Sequence, residues 1–140
     1  MATGAAQILI VLGASIFGVL GGSHLAYTFF SDRFLPRERA VIDAMKGTSP
    51  VLTRETTMWK AWVGFNASHS YGLILFGAVY GYLALAHSDF LFQSVFLLSL
   101  GLILLFGYVF LAKRYFFRIP LRGVLLATFL YGLALVASRA

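Results

Sequence analysis

The sequence predicts an all-α membrane protein: a four-helix transmembrane bundle with a short cytoplasmic amphipathic helix between the first and second spans. Of the 140 residues, 60% are apolar and 11% are charged, and the mean hydropathy is +0.86. A soluble domain carries about a quarter charged residues. Apolar runs of about 20 residues, the length that a bilayer requires, recur along the chain. This composition excludes a soluble enzyme, a disordered chain and a nucleic-acid-binding module.

Four apolar runs define the predicted spans, at about 7–30, 58–86, 90–112 and 119–138 of a single membrane domain, residues 1–140. The runs are continuously apolar and do not alternate with period two, which argues against membrane-spanning strands. The connections after the second and third runs are short, so these spans are expected to be antiparallel neighbours. In the longer first connection, residues 36–46 predict an amphipathic helix that lies on the inner leaflet or docks a cytoplasmic partner.

The basic residues predict the orientation of the chain. Ten of the eleven Lys and Arg lie in or beside the first and third connections, and only Arg139 lies on the opposite side. The positive-inside rule places both connections in the cytoplasm and both termini outside. The net charge of +6 is then explained by topology and by contact with anionic inner-leaflet headgroups, and no nucleic acid is needed.

Small residues recur at four-residue spacing along the first two spans. The ridges comprise Ala14, Gly18, Gly22 and Ala26 in the first span, and Gly64, Ser68 and Gly72 in the second. Such ridges let helix backbones approach closely, which favours association where lipid is as apolar as the side chains. They predict helix packing, either within one chain or between chains.

Few polar side chains enter the predicted spans. No Asp, Glu, Lys or Arg lies deep in a span, which argues against paired-carboxylate catalysis and carboxylate relays. His24 and His69 lie at similar depth when their distances from the cytoplasmic ends are counted at about 1.5 Å per residue. The candidate polar cluster consists of Ser23, His24, Trp62, Asn66, Ser68, His69 and Ser70.

Three interpretations of this cluster stay open. Its members form hydrogen bonds that fix the register of two spans, or they line a pocket for a lipid, quinone or other apolar ligand. In the third interpretation, His24 and His69 are axial ligands of a b-type haem; no other cofactor is expected. No other metal site is expected either, because no third ligand of suitable type lies nearby. The sequence assigns no catalytic residue and leaves enzymatic activity open.

The stretch WKAWVGFNASHSYG, residues 59–72, resembles the second-span signature of a family of small bacterial four-span membrane proteins of unknown function. The position of Ser23 and His24 before the end of the first span and the layout of the whole chain are similar too. The resemblance implies the same fold and a bacterial inner membrane, and it carries over no catalytic residue.

For function, we expect an interaction protein, either a homo-oligomer or the accessory subunit of a larger membrane complex. A chain of 15.4 kDa without buried charge has little room for chemistry. The alternative is a binding protein or enzyme for a lipid, quinone or other apolar ligand that uses the His/Asn cluster. A channel or transporter comes third, because four spans would have to oligomerise to enclose a pathway.

Overall fold

The computed structural model describes residues 4–139, and over this range the chain is 82% helix with no strand. The helices follow each other in chain order as α1 (Gly4–Phe30), α2 (Arg39–Gly47), α3 (Met58–Ala86), α4 (Ser88–Gln93), α5 (Val95–Tyr115) and α6 (Arg118–Ala137). The sequence-based prediction of an all-α protein is therefore confirmed.

Four of these helices, α1, α3, α5 and α6, are long and apolar enough to cross a membrane. They contain between 20 and 29 residues, and a bilayer needs about 20. The prediction of four spans is therefore confirmed with respect to the length and the composition of the helices. The bounds of α3 coincide with those expected from the sequence, because the apolar run itself ends at both places.

The third long helix begins later than the apolar run that predicts it. Ser88–Gln93 form the separate short helix α4, and Ser94 follows with extended backbone angles of φ −85° and ψ 99°. The side-chain oxygen of Ser94 accepts a hydrogen bond from the backbone N–H of Leu97 at 3.2 Å. Serine is a preferred residue at this helix-capping position. Ser94 therefore marks the start of α5 at Val95, whereas the apolar run in the sequence begins at residue 90.

Helix α2 begins at Arg39, three residues later than the sequence suggests. Helical backbone angles are disfavoured at Leu35, because the residue before a proline clashes with the proline ring. The N–H of Leu35 donates to the carbonyl of Asp32 at 3.1 Å and so closes a turn. Glu38 is still extended, with φ −93° and ψ 123°. The helix buries none of its residues, and its location on the cytoplasmic membrane surface stays a prediction.

The segment between α2 and α3 is a loop whose two ends are tied together. The backbone N–H of Met58 donates to the carbonyl of Thr48 at 2.9 Å. The hydroxyl of Thr57 accepts from the N–H of Lys60 at 3.3 Å, which caps the start of α3. Val51 and Leu52 lie between these ends and are almost fully exposed.

The chain divides into two compact units. The larger unit contains Met1–Leu20 and Leu73–Ala140, and the smaller unit contains Gly21–Gly72. Helices α1 and α3 contribute to both units. Every residue of the predicted polar cluster belongs to the smaller unit.

The larger unit has an apolar core to which α1, α3, α5 and α6 all contribute. Its centre is aromatic, since the ring of Phe17 lies 4.7 Å from that of Phe76 and 5.3 Å from that of Tyr108, measured between centroids. Glycine makes one close approach possible: a Cβ on Gly77 would lie 2.7 Å from the backbone oxygen of Ala14. The buried core residues are Ile10, Ala14, Phe17, Leu73, Phe76, Tyr80, Ala84, Leu91, Leu98, Leu105, Val124, Ala127, Tyr131 and Ala134.

Candidate functional site

The centre of the candidate site is a hydrogen bond between His24 of α1 and Asn66 of α3. His24 Nε2 lies 3.0 Å from Asn66 Oδ1, while the amide nitrogen of Asn66 donates to the backbone carbonyl of Trp62 at 2.9 Å. A carbonyl oxygen can only accept, so the amide nitrogen of Asn66 faces the Trp62 carbonyl and the amide oxygen faces His24. Because that oxygen can only accept, Nε2 of His24 carries the proton and donates.

His69 lies beside His24 in the same unit. The centroids of the two imidazole rings are 5.1 Å apart, and the rings meet edge to face at 67°. His69 follows Asn66 by three residues, which places both on one side of α3. The structure thus brings together three members of the predicted polar cluster, namely His24, Asn66 and His69.

Phe34 covers His24 from the turn that follows α1. Its ring centroid lies 4.4 Å from that of His24, with 37° between the ring planes, and the side chain is half-buried. Sequence reasoning missed this residue because it lies outside every predicted span, directly after the polar group Ser31, Asp32 and Arg33. An aromatic residue next to a span end is typical of an interfacial belt, so no sequence signal separates Phe34 from that background.

The serines of the predicted cluster divide into two groups. Ser70 is fully buried, and its hydroxyl donates to the backbone carbonyl of Asn66 at 2.9 Å. Ser68 is exposed and donates to the carbonyl of Phe65, three residues earlier in its own helix, at 3.0 Å. Ser23 is exposed as well. The hydroxyls of Ser68 and Ser70 thus bond within α3, and the structure buries Ser70 while it leaves Ser23 and Ser68 on the surface.

A small pocket adjoins Asn66 and has a volume of about 20 Å³, which is room for about one water molecule. Trp62, which is 42% exposed, belongs to its wall. Aromatic, aliphatic and polar residues line the pocket: Thr28, Ser31, Phe34, Leu35, Trp59, Trp62, Val63 and Asn66.

Two cations lie over aromatic rings near this pocket. The guanidinium carbon of Arg33 is 4.3 Å from the centroid of the Tyr27 ring, and Nζ of Lys46 is 5.6 Å from that of Trp59. Both distances lie within the range in which a cation is attracted to the face of an aromatic ring. These contacts fix part of the connection between α1 and α3 against the ends of both helices.

The residues of the site do not fit a haem in this arrangement. The imidazoles of His24 and His69 contact each other directly, so an iron porphyrin has no space between them, and Nε2 of His24 is already bonded to Asn66. Within residues 4–139, no group of three or more His, Cys, Asp or Glu side chains is arranged to hold a metal ion. The site is thus a set of hydrogen-bonding groups under an aromatic cover.

Comparison with models of known protein families, with curated proteins and with solved structures gives no match to this chain.

Proposed function

We propose that the chain acts through association within a membrane, as a homo-oligomer or as the accessory subunit of a larger membrane complex. The observation that carries this proposal is that the buried polar groups of the cluster already have partners within the described part of the chain. His24, Asn66 and Ser70 all bond within the chain, and the described residues contain no buried side-chain nitrogen or oxygen without a partner. This supports a structural role for the cluster and directs attention to the helix surfaces.

The smaller unit offers small residues on such surfaces. Gly22 and Ala26 of α1 are exposed, as are Gly64 and Ser68 of α3, and each pair has four-residue spacing. A Cβ placed on Gly22 or on Gly64 would meet no atom within 4 Å. Surfaces of this kind let a further helix approach closely in lipid. Gly77 differs, because it is already in contact with α1 inside the larger unit.

The proposed location is a bacterial inner membrane, with the first and third connections in the cytoplasm and both termini outside. Ten of eleven Lys and Arg support this orientation. Cysteine scanning tests it, because the chain contains no native cysteine. An Asp89→Cys variant should react with a membrane-impermeant thiol reagent in intact spheroplasts, and Glu55→Cys should react only after lysis. Both positions are exposed. The opposite labelling pattern would refute the orientation.

The association is tested by purifying the full chain in a mild detergent and measuring its mass by light scattering during gel filtration. We expect a mass above that of the 15.4 kDa monomer, or a membrane protein that co-purifies in fixed ratio. Gly64→Leu should reduce this association. Gly107→Leu is the matched control, since Gly107 is also exposed and a Cβ there also meets nothing within 4 Å.

Recovery of the wild-type chain as a lone monomer without a co-purifying protein would contradict the proposal. Equal loss of association in the Gly64 and Gly107 variants would contradict the assignment of the contact face to α3. If Gly107→Leu dissociates while Gly64→Leu stays associated, the contact face lies on α5, the helix that contains Gly107, and not on α3.

A second candidate function is the binding of a lipid, quinone or other apolar ligand. The pocket beside Asn66 favours it, because its lining combines the aromatic residues Trp59 and Trp62 with the hydroxyl-bearing residues Thr28 and Ser31. Such a mixture of apolar walls and a few polar groups is typical of ligand sites. At about 20 Å³ the pocket has room for one small polar group of such a ligand, and the rest of the ligand would lie outside it. His24, Asn66 and His69 would supply the polar contacts, with or without chemistry.

The second candidate is tested by the absorption spectrum of the purified protein together with mass spectrometry of extracted small molecules. A bound molecule should be present in the wild type and in Ser68→Ala, and absent from Trp62→Ala and His69→Leu. The exposed hydroxyl of Ser68 bonds within its own helix, so it serves as the control. A wild-type protein that carries no small molecule would contradict this candidate.

A further inference from the structure

The last residues of α5, the first residues of α6 and the two residues between them, 113–122, carry a high concentration of positive charge, and this segment is called the α5–α6 connection here. Lys113, Arg114, Arg118 and Arg122 lie within ten residues that contain no Asp or Glu. The smaller unit holds six Lys and Arg but also four Asp and Glu, a net charge of +2, and Asp89 cancels Arg139. The α5–α6 connection therefore carries four of the six net positive charges of the protein.

Within residues 4–139, these four cations have no charged or hydrogen-bonding partner. All four side chains are exposed, and none forms an ion pair or hydrogen bond with another described residue. Two cations of the smaller unit differ, since Arg33 and Lys46 lie over aromatic rings. Like charges held close together repel each other unless a counter-charge is present. The α5–α6 connection is therefore an exposed, concentrated positive charge that attracts anions from outside the chain.

Exposed aromatic rings occur among the same cations. Tyr115 is 68% exposed, Phe116 is 42% exposed and Phe117 is 62% exposed. Only Phe116 and Phe117 separate α5 from α6, and both helices are apolar enough to cross a membrane. The connection must then lie where those helices leave the bilayer. Aromatic rings are favoured at that depth, between the acyl chains and water.

We propose that the α5–α6 connection is a binding site for an anionic phospholipid. Lys113, Arg114, Arg118 and Arg122 contact the phosphate of the headgroup, and the exposed rings of Tyr115 and Phe117 pack against its glycerol and upper acyl region. A free phosphate satisfies the charges but leaves the exposed rings of Tyr115 and Phe117 in water, so a lipid is the ligand that fits both features. This proposal does not depend on the proposed association through α1 or α3.

The test is native mass spectrometry of the full chain in detergent, titrated with phosphatidylglycerol or phosphatidylcholine of identical acyl chains. The wild type should bind phosphatidylglycerol more tightly. In the double variant Arg118→Gln/Arg122→Gln, affinity for phosphatidylglycerol should fall about 30-fold, which corresponds to about 2 kcal/mol. Affinity for phosphatidylcholine should not change.

The matched control is Arg37→Gln/Arg39→Gln, which removes two exposed arginines beside Glu38 in the first connection. It should keep the preference for phosphatidylglycerol. Equal affinity of the wild type for both lipids would overturn the proposal. An equal loss of phosphatidylglycerol affinity in the two double variants would overturn it as well. Displacement of phosphatidylglycerol by soluble glycerol phosphate would show that a phosphate alone is the ligand, and this would overturn the lipid assignment. The melting temperature of each variant checks that it is folded.

Discussion

The hydroxyl groups of Tyr80 and Tyr131 donate hydrogen bonds to consecutive backbone carbonyls of α5, those of Leu97 at 2.7 Å and Leu98 at 3.2 Å. Their rings meet edge to face, with 5.9 Å between centroids, and both side chains are buried. Tyr80 belongs to α3 and Tyr131 to α6. Three helices of the larger unit are thus connected at the first turn of α5.

Gly101 provides the space for this pair of tyrosines. A Cβ at position 101 would overlap the Tyr131 hydroxyl and lie 2.7 Å from Cζ of the same ring. We expect Gly101→Ala to lower the free energy of unfolding by about 1–3 kcal/mol, as overpacking of a tight core does. Thermal unfolding in detergent measures the change. Gly107→Ala in the same helix is the control, because its Cβ meets nothing; an equal loss there would contradict the explanation.

The contact of Gly77 with α1 gives a second prediction. A Cβ on Gly77 would lie 2.7 Å from the backbone oxygen of Ala14 and 2.9 Å from the backbone nitrogen of Gly18. Backbone atoms cannot turn aside as a flexible side chain can, so Gly77→Ala should force α1 and α3 apart and lower the unfolding temperature. Gly81→Ala should have little effect, since its Cβ would lie 3.7 Å from that of Ala14. A Gly77→Ala protein as stable as the wild type would disprove this close approach.

The bond between His24 and Asn66 gives a third prediction. Asn66→Leu removes the acceptor of the His24 N–H and should cost about 1–3 kcal/mol, the penalty of leaving a partly buried donor without a partner. Ser68→Ala should change stability by less than about 0.5 kcal/mol, as is usual for exposed positions. Chemical denaturation followed by circular dichroism compares the two variants. Similar stability of Asn66→Leu and the wild type would show that this bond contributes little.

The cover that Phe34 places on His24 gives a fourth prediction. Phe34→Ala should expose the imidazole, so exchange of its ring N–H with water, followed by nitrogen-15 NMR, should become faster. Phe30→Ala is the control, because Phe30 is 87% exposed and its removal uncovers nothing. Unchanged exchange in Phe34→Ala would mean that water reaches His24 by another path.

The sequence was sufficient to predict the long helices, because the need for about 20 apolar residues acts on each helix separately. Met58–Ala86 is predicted with its observed bounds for this reason. His24 and His69 were also predicted to lie at similar depth, since their distances from the span ends can be counted along each helix. Whether they share one site could not be predicted, because depth alone does not say which way each side chain points.

Features that depend on the meeting of distant residues could not be predicted in this way. Nothing in the sequence distinguishes Ser94 from other serines in apolar runs. Its capping role becomes clear only from the bond that its side chain accepts from the N–H of Leu97. Tyr80, Gly101 and Tyr131 are separated by 21 and 30 residues, and nothing local indicates that they share one space. Phe34 lies in a connection whose path depends on turn geometry rather than on hydrophobic periodicity.

The bond between the Thr48 carbonyl and the Met58 N–H has a consequence for engineering the protein. Because this bond holds the two ends of the loop together, extra residues inserted between Val51 and Leu52 would lengthen only its outer part. Doubling the length of a flexible loop costs only about 0.6 kcal/mol in closure entropy. An epitope or a fluorescent-protein fusion can therefore be placed at this position without displacing the start of α3.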